Sequence, residues 1–196
     1  MQYDCKKVSS DKEIPWDQVE SMVLKDVVTG GDTRLATTAK ACWTDEALYI
    51  RFECEDDYVV ATLNRRDDPL YREDVVEVFI DEERTGHHYI ELEVSPINVI
   101  FDALVDNNLA GSIQVNQEWN AEGLSTEVMH KNGSIVYDII MPFTLFRKPP
   151  KSGTSWHWNV YRIDTDPEGG RHYWAWSPTG EVNFHKPLRF GIINFY

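Results

Sequence analysis

The chain has 196 residues, of which 42% are hydrophobic, and it contains 7 Trp, 9 Tyr and 8 Phe. A single domain spanning residues 1–196 is the expected organisation, since all-β domains of about 200 residues are common. The excess of 33 Asp and Glu over 19 Lys and Arg gives a net charge of −14. This charge repels phosphate backbones and anionic lipids, so we expect no nucleic-acid or membrane partner.

No stretch approaches the run of about 18 apolar residues that a membrane helix needs, and the first residues lack the apolar segment of a secretory signal. The sequence does not determine the localisation, which is extracellular or periplasmic if a leader has been removed and otherwise cytoplasmic. We expect a monomer.

Strand patterns dominate the chain from Ala36 onwards. Residues 36–43 and 48–55 predict a hairpin that turns at Thr44-Asp45-Glu46. Further strands are predicted at 75–81, 88–94, 99–105, 112–116, 125–130, 135–141, 156–163, 172–176 and 190–195, and one short helical connector at 142–146. About ten short strands at this spacing indicate an all-β fold, an antiparallel β-sandwich. Its core is expected to hold Trp43, Trp156 and Trp158.

The three cysteines, Cys5, Cys42 and Cys54, lack the spacing of a metal clip or a redox motif. Cys42 and Cys54 are out of register in the predicted hairpin, so we expect buried, reduced thiols.

Three glutamates fall in two neighbouring predicted strands. Glu77 alternates with Val75 and Phe79 on one face, which is an unusually apolar environment for a carboxylate. Glu91 and Glu93 share a face of the following strand, and their alternation with apolar residues favours a solvated polar face.

Several enzyme classes lack their motifs, since the sequence contains no GxSxG elbow, GxxxxGK[ST] phosphate loop, HExxH helix or GxGxxG turn. A pair of carboxylates could still hydrolyse glycosides. Glu77 could be one member of such a pair, but its partner is not identifiable from sequence.

A resemblance rests on motifs in the middle of the chain. The segment from Asp67 to Asp81, DDPLYREDVVEVFID, resembles the D-x-x-x-W-x-x-D-x-x-E-V-F-[IL]-D stretch of the family 9 carbohydrate-binding modules. CWTDEALYI at 42–50 resembles the hairpin of that family, and YIELEVSP at 89–96 resembles its Y-x-E-[LFI]-E-[VIL]-[NS]-P strand.

The C-terminal third carries similar elements. WNVYRI at 158–163, WSP at 176–178 and NFHKP at 183–187 followed by RFG look like the closing motifs of bacterial members. The resemblance covers about residue 15 to the C-terminus. It implies a DOMON-like, lectin-like sandwich of the jelly-roll type that binds saccharide without catalysis, in polysaccharide uptake or breakdown.

The resemblance also implies a site in which two aromatic planes hold a terminal sugar and polar groups take its hydroxyls. Tyr71 stands where the family has a stacking Trp, and Glu77 where it has a hydroxyl-binding Glu. The second ring falls near Phe184 or His185, or comes from Trp174 or Trp176. Asn98 could offer an amide, although Asn after a Ser-Pro turn is more often a turn residue.

Characterised members of the resembled family contain calcium, which takes six to eight oxygen ligands. Acidic clusters at Glu53-Glu55-Asp56-Asp57, Asp67-Asp68 and Asp164-Asp166 could supply them, although none has the spacing of a known calcium loop. The resemblance therefore leaves a structural calcium open, with no ligands assigned, and no other cofactor is expected.

Three alternatives remain open. The chain could be a glycan-active hydrolase or a domain of one, or a sandwich whose sugar site has decayed. It could also be a haem-binding DOMON-type redox domain, for which Met129, His130 and Met141 are the candidate axial ligands.

Overall fold

The computed structural model describes residues 1–9 and 13–196, and its regular structure consists of strands and short 3-10 turns. The strands are β1 (Gln2–Lys7), β2 (Ser21–Val23), β3 (Lys25–Asp26), β4 (Thr37–Trp43), β5 (Ala47–Glu55), β6 (Val75–Asp81), β7 (His88–Val94), β8 (Ile100–Asn107), β9 (Ile113–Asn116), β10 (Ser125–Lys131), β11 (Ser134–Pro142), β12 (Ser155–Thr165), β13 (Arg171–Ala175) and β14 (Gly191–Phe195).

The all-β prediction is confirmed, and the expected helical connector is a 3-10 turn at Phe143–Leu145. Two further 3-10 turns cover Leu70–Arg72 and Pro187–Arg189. No helix in the described part of the chain is long and apolar enough to cross a membrane.

Within residues 1–9 and 13–196, the sheet is mixed rather than wholly antiparallel, and it has 14 strands rather than about ten. The parallel pairs are those of β1, which pairs with β14 through residues 2–5 and with β4 through residues 6 and 7. It thereby joins two sheets in the order β10-β11-β5-β4-β1-β14-β12-β6-β7-β8-β9. The sequence does not reveal β2 and β3 because strands of 3 and 2 residues are too short to show alternation.

The main core lies between the two sheets of this β-sandwich. One sheet contributes Ile50, Phe52 and Ile139, and the other contributes Val76, Val78 and Trp158. Trp43, Trp156 and Trp158 all belong to this core, as predicted. The predicted hairpin is the β4–β5 pair. The three cysteines are buried and free, which confirms the prediction of buried, reduced thiols.

A second apolar layer covers the outer face of β6, β7 and β8. Val75, Phe79, Phe101, Tyr161 and Phe184 belong to this layer. β6 is consequently buried along its whole length, with Val76, Val78 and Ile80 in the main core and Val75 and Phe79 in the second layer. Glu77 shares the face of this second layer, where a cavity opens.

Candidate functional site

The cavity lies over the outer face of β6, β7 and β8 and has a volume of about 440 Å³. This volume is within the range of about 300–1,000 Å³ that is typical of small-molecule sites. Its lining combines aromatic and aliphatic side chains with a group of polar and charged ones. The lining includes Tyr71, Phe79, Phe101, Tyr173 and Phe184 together with Glu77, Glu91, Glu93, Arg171 and His185.

The three glutamates form the acidic cluster of the cavity. Glu77 of β6 and Glu93 of β7 are directly opposite partners in the antiparallel register, and Glu91 lies two residues before Glu93 on the same face. One carboxylate oxygen from each of the three lies within 4.8 Å of the others. The strand geometry therefore gathers three carboxyl groups at one point.

The predicted solvated face for Glu91 and Glu93 is wrong, because their side chains are buried, with relative exposures of 5% and 1%. The reason is the second apolar layer, which covers the face that a simple two-layer sandwich would leave to solvent. Alternation alone cannot distinguish a polar row facing water from one facing a cavity.

Three carboxyl oxygens of the acidic cluster lack hydrogen-bond partners among the described residues. Both oxygens of Glu93 and Oε1 of Glu77 make no hydrogen bond to any described residue. Burial raises the pKa of Glu91 to about 8. Burial, and then repulsion from Glu93 and Glu91, raises the pKa of Glu77 well above its usual value, and Arg171 partly opposes this shift. Burial, and then repulsion from Glu91, raises the pKa of Glu93 well above its usual value, and the backbone of Tyr71 partly opposes this shift.

Tyr71 stands at the edge of the cavity with 47% of its surface exposed. It lies in the 3-10 turn Leu70–Arg72, whose Leu70 is buried in the second apolar layer. Arg171 of β13 donates from Nη2 to the carbonyl oxygen of Tyr71 at 2.6 Å, and its guanidinium lies 5.3 Å from the ring centre of Tyr173. Arg171 thus ties the loop that carries Tyr71 to the strand beneath it.

Phe184 also lines the cavity, but its ring is packed more firmly. It stacks on Tyr161 with 4.1 Å between ring centres and an interplanar angle of 12°. The Tyr161 hydroxyl donates to the backbone oxygen of Phe184, and only 9% of Phe184 is exposed. The ring is therefore a wall that the fold holds in place.

His185 completes this side of the cavity. Its Nδ1 lies 2.9 Å from the Tyr89 hydroxyl, and its Nε2 lies 3.8 Å from Oε1 of Glu91. Burial lowers the pKa of His185 to about 4, so the ring is neutral near pH 7. Since Asn107 donates to the Tyr89 oxygen, this hydroxyl is free to donate to Nδ1, which leaves the proton of the ring on Nε2.

Three of the sequence-predicted site residues lie away from the cavity. Asn98 has a φ of 60°, and its side chain bonds Thr126 through both its amide oxygen and its amide nitrogen, which is the behaviour of a turn residue. Trp174 and Trp176 are buried in the main core, with exposures of 1% and 3%. Their rings point away from the second apolar layer because strand alternation puts the neighbouring Ala175 and Tyr173 on that side.

Sequence reasoning missed Phe101, Tyr173 and Arg171 as cavity residues. Each lies in a strand of ordinary alternation, and the cavity becomes visible only when β6, β8 and β13 are placed together. Glu91 and Glu93 do stand out in the YIELEVSP motif, but their alternation with apolar residues predicts a solvated face rather than a cavity.

Several of the acidic residues considered for calcium contact basic side chains, whereas Oδ1 of Asp67 is buried and makes no hydrogen bond to any described residue. Arg162 pairs with Asp56 at 2.8 Å and with Asp164 at 2.5 Å, while Asp166 lies 2.9 Å from His172. The candidate haem ligands also lie apart, since Met129 and His130 are adjacent in β10 and Met141 is buried in the main core.

The sequence matches the protein family described as "Carbohydrate family 9 binding domain-like" over residues 10–195. The chain therefore belongs to this family. It is a non-catalytic carbohydrate-binding module.

Two curated relatives match the chain. One is an extracellular protein of Arthroderma benhamiae, 27% identical over 176 residues, which are 81% of this chain and 78% of the relative. The other is the exoglucanase XynX of Acetivibrio thermocellus, 30% identical over 129 residues, or 66% of this chain. The match spans only 11% of that exoglucanase.

Among solved structures, the fold is similar to a family 9 carbohydrate-binding module from Caldicellulosiruptor kristjanssonii in complex with cellotriose. The TM-score is 0.74 at 16% sequence identity, and the match covers 100% of this chain and 93% of the other. A family 9 carbohydrate-binding module from the same organism in complex with glucose gives a TM-score of 0.73 at 17% identity, and the match covers 100% of this chain and 96% of the other.

Proposed function

We propose that the cavity binds the terminal sugar of a saccharide chain, with the Tyr71 ring as a platform and the acidic cluster as the partner of its hydroxyls. The observation that carries this proposal is the set of unpartnered carboxyl oxygens of Glu77 and Glu93 inside an aromatic cavity. Buried polar groups normally have hydrogen-bond partners, so these oxygens indicate a ligand that supplies them.

The chemistry of the cavity suits a sugar. The face of a pyranose is rich in C–H groups and packs on aromatic rings, as Tyr71 would allow from its exposed position. Because the pKa of Glu91 is raised to about 8, its carboxyl group is largely protonated near neutral pH and can both donate and accept hydrogen bonds. Sugar hydroxyls have the same dual capacity.

The size of the cavity favours one or two sugar rings rather than an internal stretch of a long chain. β6 and β7 close the cavity behind the acidic cluster, since both faces of β6 are buried. An open groove would instead let a polysaccharide pass through. The similar modules that were solved in complex with cellotriose and with glucose support this choice of ligand class.

A glycan array with the whole chain tests the proposal, followed by calorimetric titration of the best glycan and an assay for released reducing sugar. We expect retention of particular oligosaccharides, cellotriose among the first to be tried, and no release of reducing sugar. Failure to retain any glycan would contradict the proposal. Glycan cleavage that is lost in Glu77→Gln would instead favour a hydrolase.

We further propose that the module brings saccharide to a glycoside hydrolase. The support is its similarity to a segment covering 11% of an exoglucanase. Fusion of this chain to a cellulase catalytic domain should raise its activity on insoluble cellulose, whereas a fusion of the Tyr71→Ala variant should not. Equal activity of the two fusions would contradict this role.

A further inference from the structure

The acidic cluster has a second chemical property besides its fit to hydroxyls. Three carboxyl groups, Glu77, Glu91 and Glu93, are almost fully buried, and one oxygen of each lies within 4.8 Å of the others. In the described parts of the chain, neither Glu77 nor Glu93 takes part in an ion pair. Buried carboxyl groups are usually hydrogen-bonded, paired with a cation or bound to a metal.

The described basic side chains near the acidic cluster form no ion pair with Glu77 or Glu93. The guanidinium of Arg171 is used for the Tyr71 carbonyl and lies over the ring of Tyr173. His185 is the other basic side chain beside the cluster, and its Nε2 remains 3.8 Å from the nearest carboxylate oxygen of Glu91. No described side chain therefore places a positive charge among the three oxygens.

We propose that Glu77, Glu91 and Glu93 bind one divalent cation. The two unpartnered oxygens of Glu93 and the unpartnered Oε1 of Glu77 indicate a missing ligand beside the clustering of the three carboxyl groups, since both side chains are more than nine-tenths buried and line the cavity. The site is built from two adjacent strands of the sheet, so its ligands are held on rigid backbone.

The chemistry of the ligands selects the class of cation. Carboxylates are hard oxygen donors, which suit Ca²⁺, Mg²⁺ and Mn²⁺ rather than thiolate-preferring metals. Coordination positions that the three glutamates leave open face the cavity, where water or ligand oxygens can occupy them. This site differs from the acidic loops at Asp56 and Asp164, whose carboxylates are paired with Arg162.

Calorimetric titration of the chelator-treated chain with CaCl₂ and, separately, with MnCl₂ tests the proposal in the absence of any sugar. We expect one ion per chain, with the bound Mn²⁺ also visible as a loss of the free-ion signal in electron paramagnetic resonance. Binding to the native state alone should raise Tm as the ion concentration increases.

Matched variants locate the ion. Glu93→Gln should weaken binding at least about tenfold, a loss that even outer partners of metal sites commonly cause. Glu127→Gln changes an exposed glutamate of β10 in the same way and should bind the ion like the wild type. Circular dichroism establishes that the variants fold, and Glu91→Gln serves in place of Glu93→Gln if that variant does not.

No ion bound by the wild type would overturn the proposal, and so would unchanged affinity in the folded Glu93→Gln or Glu91→Gln variant. Sugar binding is measured separately with chelator present. Sugar binding without ion binding overturns the cation site alone, while ion binding without binding of any glycan supports the cation site and contradicts the proposed carbohydrate function.

Discussion

Glu77 and Glu93 are directly opposite each other on the antiparallel strands β6 and β7, and both side chains line the same cavity. Like charges in this position destabilise a sheet, and buried carboxyl groups without partners add a desolvation cost. The arrangement is costly for folding and useful for binding. Functional sites commonly lower the stability of the folded protein in this way.

Replacing Glu93 by leucine should therefore stabilise the protein in the absence of metal and sugar. Leu removes a buried carboxyl group whose two oxygens have no hydrogen-bond partner among the described residues, and such a group costs about 1–3 kcal/mol when unsatisfied. Urea denaturation with chelator present measures the free energy of unfolding, and we expect an increase of about 1–3 kcal/mol. A decrease would show that Glu93 has stabilising partners in the folded state.

Tyr71 is expected to affect binding but not stability. Tyr71→Ala should weaken sugar affinity by about 1–3 kcal/mol, because a large apolar contact is lost. Tyr58 is the control, because 47% of its surface is exposed, as for Tyr71, but it does not line the cavity. Titration calorimetry and melting curves of both alanine variants give the comparison. Equal sugar affinities for the two variants would remove Tyr71 from the site.

Much of the fold was predictable because it depends on local alternation. The apolar alternation of Val76, Val78 and Ile80 is what places one face of β6 in the main core, as the sequence indicates. The parallel pairing of β1 was not predictable, since it depends on contacts with β14 at the opposite end of the chain. Non-local pairing of this kind leaves no periodic signal in a short strand.

The candidate site was likewise predictable only in part. Tyr71, Glu77, Phe184 and His185 meet at one cavity, as their motifs suggested. The burial of Glu91 was not visible, because it depends on the second apolar layer, to which distant residues such as Tyr161 and Phe190 contribute.

Gly191 explains how Trp176 is held in the core, and it provides a stability prediction. A Cβ at Gly191 would lie 2.3 Å from a ring carbon of Trp176. Gly191→Ala should therefore lower the free energy of unfolding by about 1–3 kcal/mol through overpacking. Gly31→Ala is the control, because its nearest contact is the Thr29 hydroxyl at 3.2 Å. Equal melting temperatures for the two variants would contradict this packing.

The thiols should be unreactive in the folded protein. Burial raises the pKa of Cys42 to about 12, and burial raises that of Cys54 to about 11, so neither is a thiolate at pH 8. A colorimetric thiol reagent at pH 8 should label none of the three cysteines in the native chain and all three in guanidinium chloride. Rapid labelling of native protein would mean that the core opens readily.

The most direct measurement of the central claim is a nuclear magnetic resonance titration of the ¹⁵N-labelled chain with cellotriose. The account predicts saturable shifts of the amides around Tyr71, Glu77 and Phe184, with no comparable change at Trp16 and Arg51, which lie away from the cavity. Shifts centred on Trp16, or no saturable shifts with any glycan retained on the array, would contradict the account.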